Sequence, residues 1–315
     1  MHVNNMPDNL LDDIYLNYRM SKNITILGIN GGFGALFSRF LSKEPNLIIT
    51  GVDLGPNVSQ SSECSKYIQA NISLISKDVK AIIFQSDLIL ICLPEEITYI
   101  FFDKYGNHIS KSTLIIDTLS VKSKIATIYL RNDFNALSLN PMFGPDLSIV
   151  GKNIAVIKFL ESEFSNWFIS LLAKWNLCIR HLTSEEHDRL TAYIQVATHS
   201  VLIAFGMTLK DSAFSITELL NAATPPFLSL STFFGRISSG NKNVYWNIQE
   251  ENTFAKSVRK TLIENLITLD KTIIDGDRPA FDLILDSKTE DQEEFLRLSH
   301  LFSSFPTENI TPGKS

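Results

Sequence analysis

The stretch NITILGINGGFGALFSRFL, residues 23–41, places a β-branched apolar run, a cluster of glycines and an amphipathic run in that order. This order predicts a strand, a tight turn and a helix. Glycines in such a turn let the backbone approach a pyrophosphate, whose negative charge is stabilised at the positive end of the helix. The spacing is G-x-x-G-x-x-G. The predicted cofactor-binding residues of this turn are Gly28, Gly31, Gly32, Phe33 and Gly34.

A second apolar run, NLIITGVD, ends at Asp53, about 20 residues beyond the glycines, where the dinucleotide-binding fingerprint has an acidic residue. A carboxylate there can accept hydrogen bonds from both adenosine ribose hydroxyls and repels a 2′-phosphate, so NAD is predicted rather than NADP. Pro94, at the end of DLILICLP, is also predicted to contact the cofactor. In the alternative interpretation the glycines only make a tight turn and Asp53 caps a loop.

Short β-branched runs alternate with helix-like stretches from residue 23 to about residue 181, which predicts a parallel α/β sheet. Most of the runs are apolar almost throughout, as expected of strands that helices cover on both faces. The predicted strands are NITILG, NLIITGVD, KAIIF, DLILICLP, TLIIDTLS, FNALSLN and NIAVIKF.

From residue 183 onward the pattern becomes helical. Thr183 and Glu186 have the spacing of a capping box, and further helices are predicted over 214–222, 228–238, 245–272 and 278–302. The predicted fold class is α/β, with an N-terminal Rossmann-type doubly wound parallel sheet followed by an all-helical dimerisation domain whose apolar helices bury surface against a second subunit. The predicted domains are an N-terminal extension (1–22), a dinucleotide-binding domain (23–182), a helical substrate and dimerisation domain (183–305) and a flexible tail (306–315).

The charge and the cysteines limit the classes of partner. A net charge of −6 with no dense basic stretch argues against nucleic acid or an anionic membrane surface. The three cysteines show no C-x-x-C spacing, which favours reduced thiols in the cytoplasm and argues against a metal site. The N-terminal segment lacks the pattern of a signal or transit peptide, and no apolar run is expected to reach membrane-spanning length.

The segments SLNPMFGPD, TLSVKSK, EEHDRLTAYIQVATHS and PPFLSLSTFFGRI together resemble the prephenate dehydrogenase family over nearly the whole chain. The resemblance implies a Rossmann domain that binds NAD, a helical dimerisation domain, and oxidation of a prephenate-like dicarboxylate at C4 of its cyclohexadiene ring with loss of carbon dioxide. We expect no chorismate mutase segment, because about twenty residues before the first predicted strand are too few for one. We also expect no regulatory domain after the last helix.

The resemblance assigns site residues one at a time. Ser120 matches a serine that hydrogen-bonds the C4 substituent, although its position also suits a helix N-cap. Lys122, in the same motif, is either a solvated first-turn lysine or a ligand. Arg236 matches an arginine that binds a substrate carboxylate, a task suited to its planar bidentate fork, and the alternative is a surface salt bridge. Leu228 stands where some members of the family carry a further basic residue.

Other matched positions are open to two interpretations. His199 matches a histidine that lines the substrate pocket, or it is a packed core residue, and Gln195 lies one turn earlier on the same helix face. His187 and Asp188 match a His-Asp pair at the start of the helix, where capping and interdomain hydrogen bonding explain them as well as chemistry does. Asp146 is either a polar residue near the pocket mouth or a plain turn residue.

Asn140 departs from the family pattern, because the family motif begins with a histidine that accepts the hydrogen bond of the C4 hydroxyl and takes its proton. A carboxamide cannot take up a proton near neutral pH. Hydride loss beside a neutral amine gives an iminium ion that draws off the carboxylate electrons without such a base. The predicted preferred substrate is therefore 4-amino-4-deoxyprephenate, and the predicted catalytic residues are Ser120, Asn140 and His199.

Three alternatives remain at this point. The chain is an ordinary prephenate or arogenate dehydrogenase that tolerates Asn140, or a catalytically silent NAD-binding dimer, or a β-hydroxyacid dehydrogenase of similar plan. The last would require a lysine-bearing helix motif that the sequence does not show.

Overall fold

The computed structural model describes residues 21–56, 63–286 and 289–303. The chain divides into two compact units, Met1–Arg189 and Leu190–Ser315. The division falls seven residues after the predicted boundary at 182/183. The predicted tail, 306–315, and all but the last two residues of the predicted extension, 1–22, lie outside the described residues.

The first unit contains a sheet and the helices that connect its strands. Its strands are Lys22–Leu27 (β1), Leu47–Asp53 (β2), Lys66–Gln69 (β3), Leu88–Ile91 (β4), Leu114–Asp117 (β5), Ala136–Pro141 (β6), Asn153–Lys158 (β7) and Cys178–His181 (β8). Its helices are Gly32–Leu41 (α1), Lys77–Gln85 (α2), Glu95–Tyr105 (α3), Ser123–Asn132 (α4), Glu163–Lys174 (α5) and Ser184–Thr191 (α6), which crosses into the second unit.

The strand order is β3-β2-β1-β4-β5-β6-β7-β8. The order reverses between β1 and β4, and such a switch point opens a crevice at the carboxyl ends of the strands. The predicted Rossmann-type sheet is confirmed, but it is not wholly parallel, because β6 and β7 pair antiparallel. Their connection, 142–152, contains no helix, and a short connection without a crossover allows only the antiparallel arrangement.

Helices cover both faces of the sheet, which explains the apolar composition of its strands. In β4 the side chains of Leu88 and Leu90 join one core cluster, with Phe37 and Trp175, whereas those of Ile89 and Ile91 join the cluster on the opposite face. All four β4 residues are fully buried. The continuous apolar runs are therefore strands buried on both sides, as predicted.

The predicted strand KAIIF is wrong, because these residues lie in α2. Ser76 caps α2 by accepting a hydrogen bond from the Val79 backbone, and the apolar side chains of Val79, Ile82 and Ile83 are buried at helical spacing while Phe84 is exposed. The two edge strands, β3 and β8, escaped prediction because KYIQ and CIRH contain no sustained apolar run.

Within 190–286 and 289–303 the second unit is helical, as predicted. Residues 192–197 form a π-helical segment that joins α6 to the next helix. The helices are Thr198–Lys210 (α7), Ile216–Asn221 (α8), Pro225–Ser239 (α9), Lys242–Glu251 (α10), Ala255–Ile274 (α11), Arg278–Leu285 (α12) and Thr289–Ser303 (α13).

The single helix predicted over 245–272 is interrupted between α10 and α11. Asn252 is buried there, and its side-chain oxygen accepts a hydrogen bond from the Phe254 backbone at 2.9 Å. Its amide nitrogen donates to the Thr191 hydroxyl at 3.2 Å. An asparagine that hydrogen-bonds the backbone in this way competes with the helix and ends it.

The helical stretch Ser184–Lys210 corrects one expectation. It is 27 residues long, and an 18-residue window reaches a mean hydropathy of 1.4, which is enough by length and composition alone to cross a membrane. The helix begins with the predicted capping box, in which the Thr183 backbone donates to the Glu186 carboxylate at 2.8 Å. The expectation that no apolar run reaches membrane-spanning length is therefore wrong. A core or interface helix can have the same length and composition.

Candidate active site

The glycine turn fits a dinucleotide because its backbone has no room for side chains. Gly28 follows β1 with φ +79°, and a Cβ there would lie 2.4 Å from the Cys92 carbonyl oxygen. A Cβ on Gly34 would lie 2.1 Å from the Gly28 carbonyl oxygen. The turn leads directly into the N-terminus of α1, where backbone N–H groups suit a phosphate.

The glycine turn also packs against the loop that follows Asn140. A Cβ on Gly32 would meet the Pro145 ring at 2.4 Å. The rings of Phe33 and Phe143 are in edge-to-face contact with centroids 6.0 Å apart. The two loops that the sequence singled out are therefore neighbours at the carboxyl edge of the sheet.

Asp53 ends β2 beside this turn and organises it. One carboxylate oxygen accepts a hydrogen bond from the Asn30 backbone at 2.9 Å, and the other accepts from the Leu54 backbone at 2.8 Å. The oxygen bonded to Leu54 also accepts a longer hydrogen bond from the Gly55 backbone at 3.4 Å. The oxygen bonded to Asn30 keeps a further lone pair, which is compatible with acceptance from a ribose hydroxyl.

Ser120 lies in the loop between β5 and α4, and the structure corrects its alternative role. The N-cap of α4 is Lys122 rather than Ser120. The Ser120 backbone nitrogen donates to the buried carboxylate of Glu95 at 3.3 Å. Glu95 follows Pro94, which is the N-cap of α3. This bond ties the β4 and β5 strand ends together.

Lys122 is fully buried, so the solvated interpretation of this residue is wrong. Its ammonium nitrogen donates to the carbonyl oxygens of Leu119 at 2.6 Å and Leu139 at 2.7 Å. Burial lowers the pKa of Lys122, and the nearby Asp117 carboxylate opposes that shift. Because Leu119 precedes Ser120 and Leu139 precedes Asn140, this lysine fixes the spacing of the two strand ends.

Asp117 is the buried anion of this network. Its carboxylate accepts hydrogen bonds from the Ser138 hydroxyl and the Tyr129 hydroxyl, each at 2.9 Å. Burial and the neighbouring Asp117 charge raise the pKa of Tyr129, which keeps the phenol protonated as the donor. A buried charge held by several hydrogen bonds makes a rigid support for the site.

Asn140 is 3% exposed and stands at the end of β6. Its amide nitrogen lies 3.0 Å from Nε2 of His187, a residue of α6 that is fully buried. The imidazole of this hydrogen-bond network is therefore buried, and its Nε2 is bonded to the asparagine amide.

Asp188 completes this arrangement. Its carboxylate lies 2.8 Å from Nδ1 of His187 and accepts hydrogen bonds from the backbone nitrogens of Lys122 and Ser123, each at 2.9 Å. The Ser123 hydroxyl also donates to it. Burial raises the pKa of Asp188, but these hydrogen bonds outweigh burial and lower it overall. Asp188 is therefore a carboxylate that caps α4 from a distant part of the chain.

In the second unit, His199 and Arg236 line one cavity of about 630 Å³. The Tyr245 ring, in the same cavity, contacts His199 edge to face with centroids 5.0 Å apart. Burial lowers the pKa of His199. Among the residues described, Nδ1 of His199 and the side-chain oxygen of Gln195 are buried without a hydrogen-bond partner. Polar atoms in this condition suit a polar ligand.

The remaining predicted residues lie in less specific surroundings. Asp146 is exposed in a turn after β6, which fits both of its interpretations. Leu228 lines a different cavity of the second unit, of about 600 Å³.

The roles of His187 and Tyr245 were not predicted. The sequence leaves capping, hydrogen bonding and chemistry open for His187, and it does not identify Asn140 as its partner, because the two residues are 47 positions apart. The signal that was available was the consecutive His-Asp pair itself, because an aspartate commonly orients a histidine.

Two family models match the chain, each over one of its halves. The prephenate dehydrogenase nucleotide-binding domain matches residues 37–162, and the prephenate dehydrogenase dimerization domain matches residues 183–287. Together the matches cover more than two thirds of the sequence.

Individual proteins of this family are also similar over most of the chain. A 4-amino-4-deoxyprephenate dehydrogenase of Streptomyces pristinaespiralis is 27% identical over 259 residues, which are 81% of this chain and 86% of that protein. A probable arogenate/prephenate dehydrogenase of Methanocaldococcus jannaschii is 26% identical over 82% of this chain, which spans 58% of that relative's length.

The fold is that of a solved prephenate dehydrogenase. The crystal structure of the A. aeolicus enzyme in complex with hydroxyphenyl propionate and NAD+ superposes with a TM-score of 0.67 at 16% identity, over 90% of this chain and 99% of that one.

Proposed function

The chain belongs to the prephenate dehydrogenase family, and on that basis we propose that this NAD-dependent oxidoreductase acts preferentially on 4-amino-4-deoxyprephenate. The products are 4-aminophenylpyruvate, carbon dioxide and NADH. The observation that carries the proposal is the carboxamide of Asn140 at the end of β6. The proposal is also supported by the similarity to the 4-amino-4-deoxyprephenate dehydrogenase of Streptomyces pristinaespiralis.

Asn140 favours the amino substrate over prephenate because it cannot accept a proton from the C4 substituent. A general base typically contributes about 10² to 10⁴ in rate, and a carboxamide cannot act as one. His187 cannot replace the base, because its ring is fully buried and its Nε2 is bonded to the amide of Asn140. The site therefore favours a substrate that needs no proton removed from its C4 substituent.

An amine at C4 meets this requirement. Departure of hydride from C4 leaves an iminium ion conjugated with the ring. The carboxylate at C1 then leaves as carbon dioxide, and its electron pair passes into the ring to give a neutral aromatic amine. No proton leaves the nitrogen, and the amine must be unprotonated when hydride departs. The Asn140 side-chain oxygen can accept a hydrogen bond from this amine.

NAD, when bound, accepts the hydride. The backbone of 28–34 and the N-terminus of α1 would hold its pyrophosphate, and Asp53 would accept from its adenosine ribose, which disfavours a 2′-phosphate. Ser120, on the loop anchored by Glu95, would hydrogen-bond the C4 substituent.

In the second unit, Arg236 is proposed to bind a substrate carboxylate in the cavity that it lines with His199. Arginine suits this task because its fork binds a carboxylate through two hydrogen bonds. His199 is proposed as a catalytic residue and Gln195, on the same helical stretch, as a substrate-binding residue. Asp146, exposed in the turn after β6, is proposed to lie near the entrance of the substrate site.

We also infer a homodimer that works in the cytoplasm. The helical unit matches a dimerization domain, and α11 exposes Ile263, Leu266, Ile267, Ile273 and Ile274. Exposed apolar side chains in such number suit an interface between subunits.

The test is a spectrophotometric assay of NADH formation with 4-amino-4-deoxyprephenate and with prephenate at equal NAD. We expect the amino substrate to have a kcat/KM at least about tenfold higher, because loss of a general base costs about 10² or more. Faster turnover of prephenate would defeat this preference and favour an ordinary prephenate dehydrogenase. Binding of NAD without turnover of prephenate, arogenate or the amino substrate would indicate a silent protein.

A further inference from the structure

The side chain of Asn140 presents an oxygen and a nitrogen of similar size, and only the oxygen can accept a hydrogen bond from an amine. The orientation of the carboxamide therefore matters as much as its presence. We propose that Asp188 and His187 are positioning residues that hold Asn140 with its amide nitrogen toward His187 and its oxygen available to the substrate. This inference deepens the function proposed above and rests on it for the identity of the substrate.

Asp188 is held in its ionised form by its hydrogen bonds. Its carboxylate accepts two backbone hydrogen bonds at the N-terminus of α4, from Lys122 and Ser123, as well as one from the Ser123 hydroxyl. Such a carboxylate stays charged and can only accept. Nδ1 of His187, 2.8 Å away, must therefore carry a hydrogen and donate it to Asp188.

The imidazole of His187 is neutral. His187 is fully buried, and burial lowers its pKa, although the hydrogen bond to Asp188 opposes this shift. The other charged groups that act on the ring are Lys122 and Asp117, which have opposite effects. With its single hydrogen on Nδ1, a neutral imidazole presents a lone pair at Nε2.

The lone pair at Nε2 of His187 fixes the orientation of the Asn140 carboxamide. Nε2 of His187 lies 3.0 Å from the amide nitrogen of Asn140, which is the distance of an N–H donor from its acceptor. Rotation of the carboxamide by 180° would bring its oxygen against the Nε2 lone pair, with two acceptors in contact. Since both residues are buried, water cannot relieve that contact. The chain of bonds from Asp188 to Asn140 thus selects one of the two amide orientations.

The decisive measurement is the tautomer of His187, read by ¹⁵N NMR of the full-length protein labelled at its imidazole nitrogens, at pH 7 and without ligands. We expect a neutral ring protonated at Nδ1, and the assignment is made by loss of the signal in His187→Asn. A ring protonated at Nε2, or an imidazolium, would overturn the proposal, because Asn140 would then turn its oxygen toward His187.

Two substitutions of His187 separate positioning from packing. Asn at 187 can still donate to Asp188 but is too short to reach Asn140, whereas Gln at 187 can place an oxygen near the former Nε2. We expect His187→Asn to lower kcat about 5- to 10-fold with KM changed less than about twofold, as for one lost hydrogen bond that orients the reacting group. His187→Gln should recover most of that loss. Equal kcat values for the two variants, at similar melting temperatures and NAD affinity, would contradict the proposal.

The matched control is His108→Asn, the same change at an exposed histidine of the first unit, which should leave kcat unchanged. Each variant is assayed with the cyclohexadiene that the wild-type protein oxidises faster. If that substrate is prephenate, the substrate preference fails while the tautomer and the order of the variants still test the positioning pair. If the tautomer is wrong, the pair fails while the preference for the amine can stand.

Discussion

The ammonium nitrogen of Lys122 lies 3.3 Å from Oδ1 of Asp117, and both side chains are fully buried. Replacing Lys122 with Met would leave the Asp117 charge and two backbone carbonyls without their partner. We expect Lys122→Met to lower the free energy of unfolding by about 3–5 kcal/mol, as for other broken buried pairs. Urea denaturation followed by circular dichroism measures this change.

The control for that prediction is Lys158→Met. Lys158 pairs with the exposed Glu161, so its loss should cost less than about 1 kcal/mol. If the two variants were equally stable, the buried pair would have no special structural importance.

Asn140→His restores a titratable group at the end of β6. We expect this variant to raise kcat/KM for prephenate relative to the amino substrate by about 10-fold or more, because an imidazole can take the hydroxyl proton. Initial rates with both substrates give the ratio. Asn132→His, at an exposed position of α4, serves as the control. If the ratio of kcat/KM for the two substrates is unchanged in Asn140→His, residue 140 does not determine substrate specificity.

Arg236→Lys keeps the charge but removes the planar fork. We expect KM for the cyclohexadiene to rise about 10-fold or more while KM for NAD stays within about twofold, since charge-assisted hydrogen bonds contribute about 1.5–3 kcal/mol each. Steady-state kinetics with each substrate varied in turn measures both constants. Arg278→Lys, in an exposed pair with Asp282, should change neither. A rise in KM for NAD instead would place Arg236 at the cofactor.

Gly28→Ala tests the cofactor turn against a glycine of similar backbone conformation. Gly28 and Gly151 both have positive φ, but a Cβ on Gly28 meets the Cys92 carbonyl oxygen, whereas one on Gly151 meets nothing within 4 Å. Gly151→Ala should cost only about 1–2 kcal/mol of conformational strain. Gly28→Ala should cost more than that and abolish NAD binding at millimolar NAD. Calorimetric titration with NAD and thermal unfolding of both variants check this, and normal NAD affinity in Gly28→Ala would contradict it.

The stability of the first unit should depend on pH through His187. Burial holds the pKa of His187 below the usual value of about 6.5, so the unfolded chain binds a proton more readily than the folded one as pH falls. Stability is therefore full above about pH 6.5 and declines below it, by up to about 1.4 kcal/mol per pH unit for this residue. The lowered pKa of Asp188 acts in the same direction, but only below about pH 4.

Urea midpoints at pH 7.5, 6.5 and 5.5 measure this decline. His181 and His199 also have pKa values lowered by burial, so they add to the slope. We expect His187→Asn to flatten the slope by its own share while His108→Asn does not. Identical slopes for the wild type and His187→Asn would show that the His187 ring is not kept neutral by the fold.

The strands of the sheet interior could be predicted because each is a short apolar run with both faces buried. The run 80–84 was misassigned for the same reason, since Ile82 and Ile83 favour a strand by composition while their spacing from Val79 is helical. The edge strand β3 could not be found this way, because KYIQ packs only part of its surface and carries charged and polar side chains.

Some residues of the candidate site could likewise be predicted from local sequence patterns, and others could not. The glycine turn and Asp53 lie close in sequence to the elements that position them, so local patterns revealed them. The environment of Lys122 depends on Leu139, and that of Asn140 on His187, which are contacts across 17 and 47 positions. A single sequence does not register such contacts, and a lysine in a first turn normally reaches solvent.

The close approach of Pro145 to Gly32 limits which substitutions can be accepted during evolution. A side chain at position 32 has nowhere to go while the proline ring is present. A lineage that enlarges residue 32 must therefore also replace residue 145 or reshape the loop after Asn140. Substitutions in the glycine turn and in the loop after Asn140 are therefore coupled at these two positions, although 113 positions separate them in sequence.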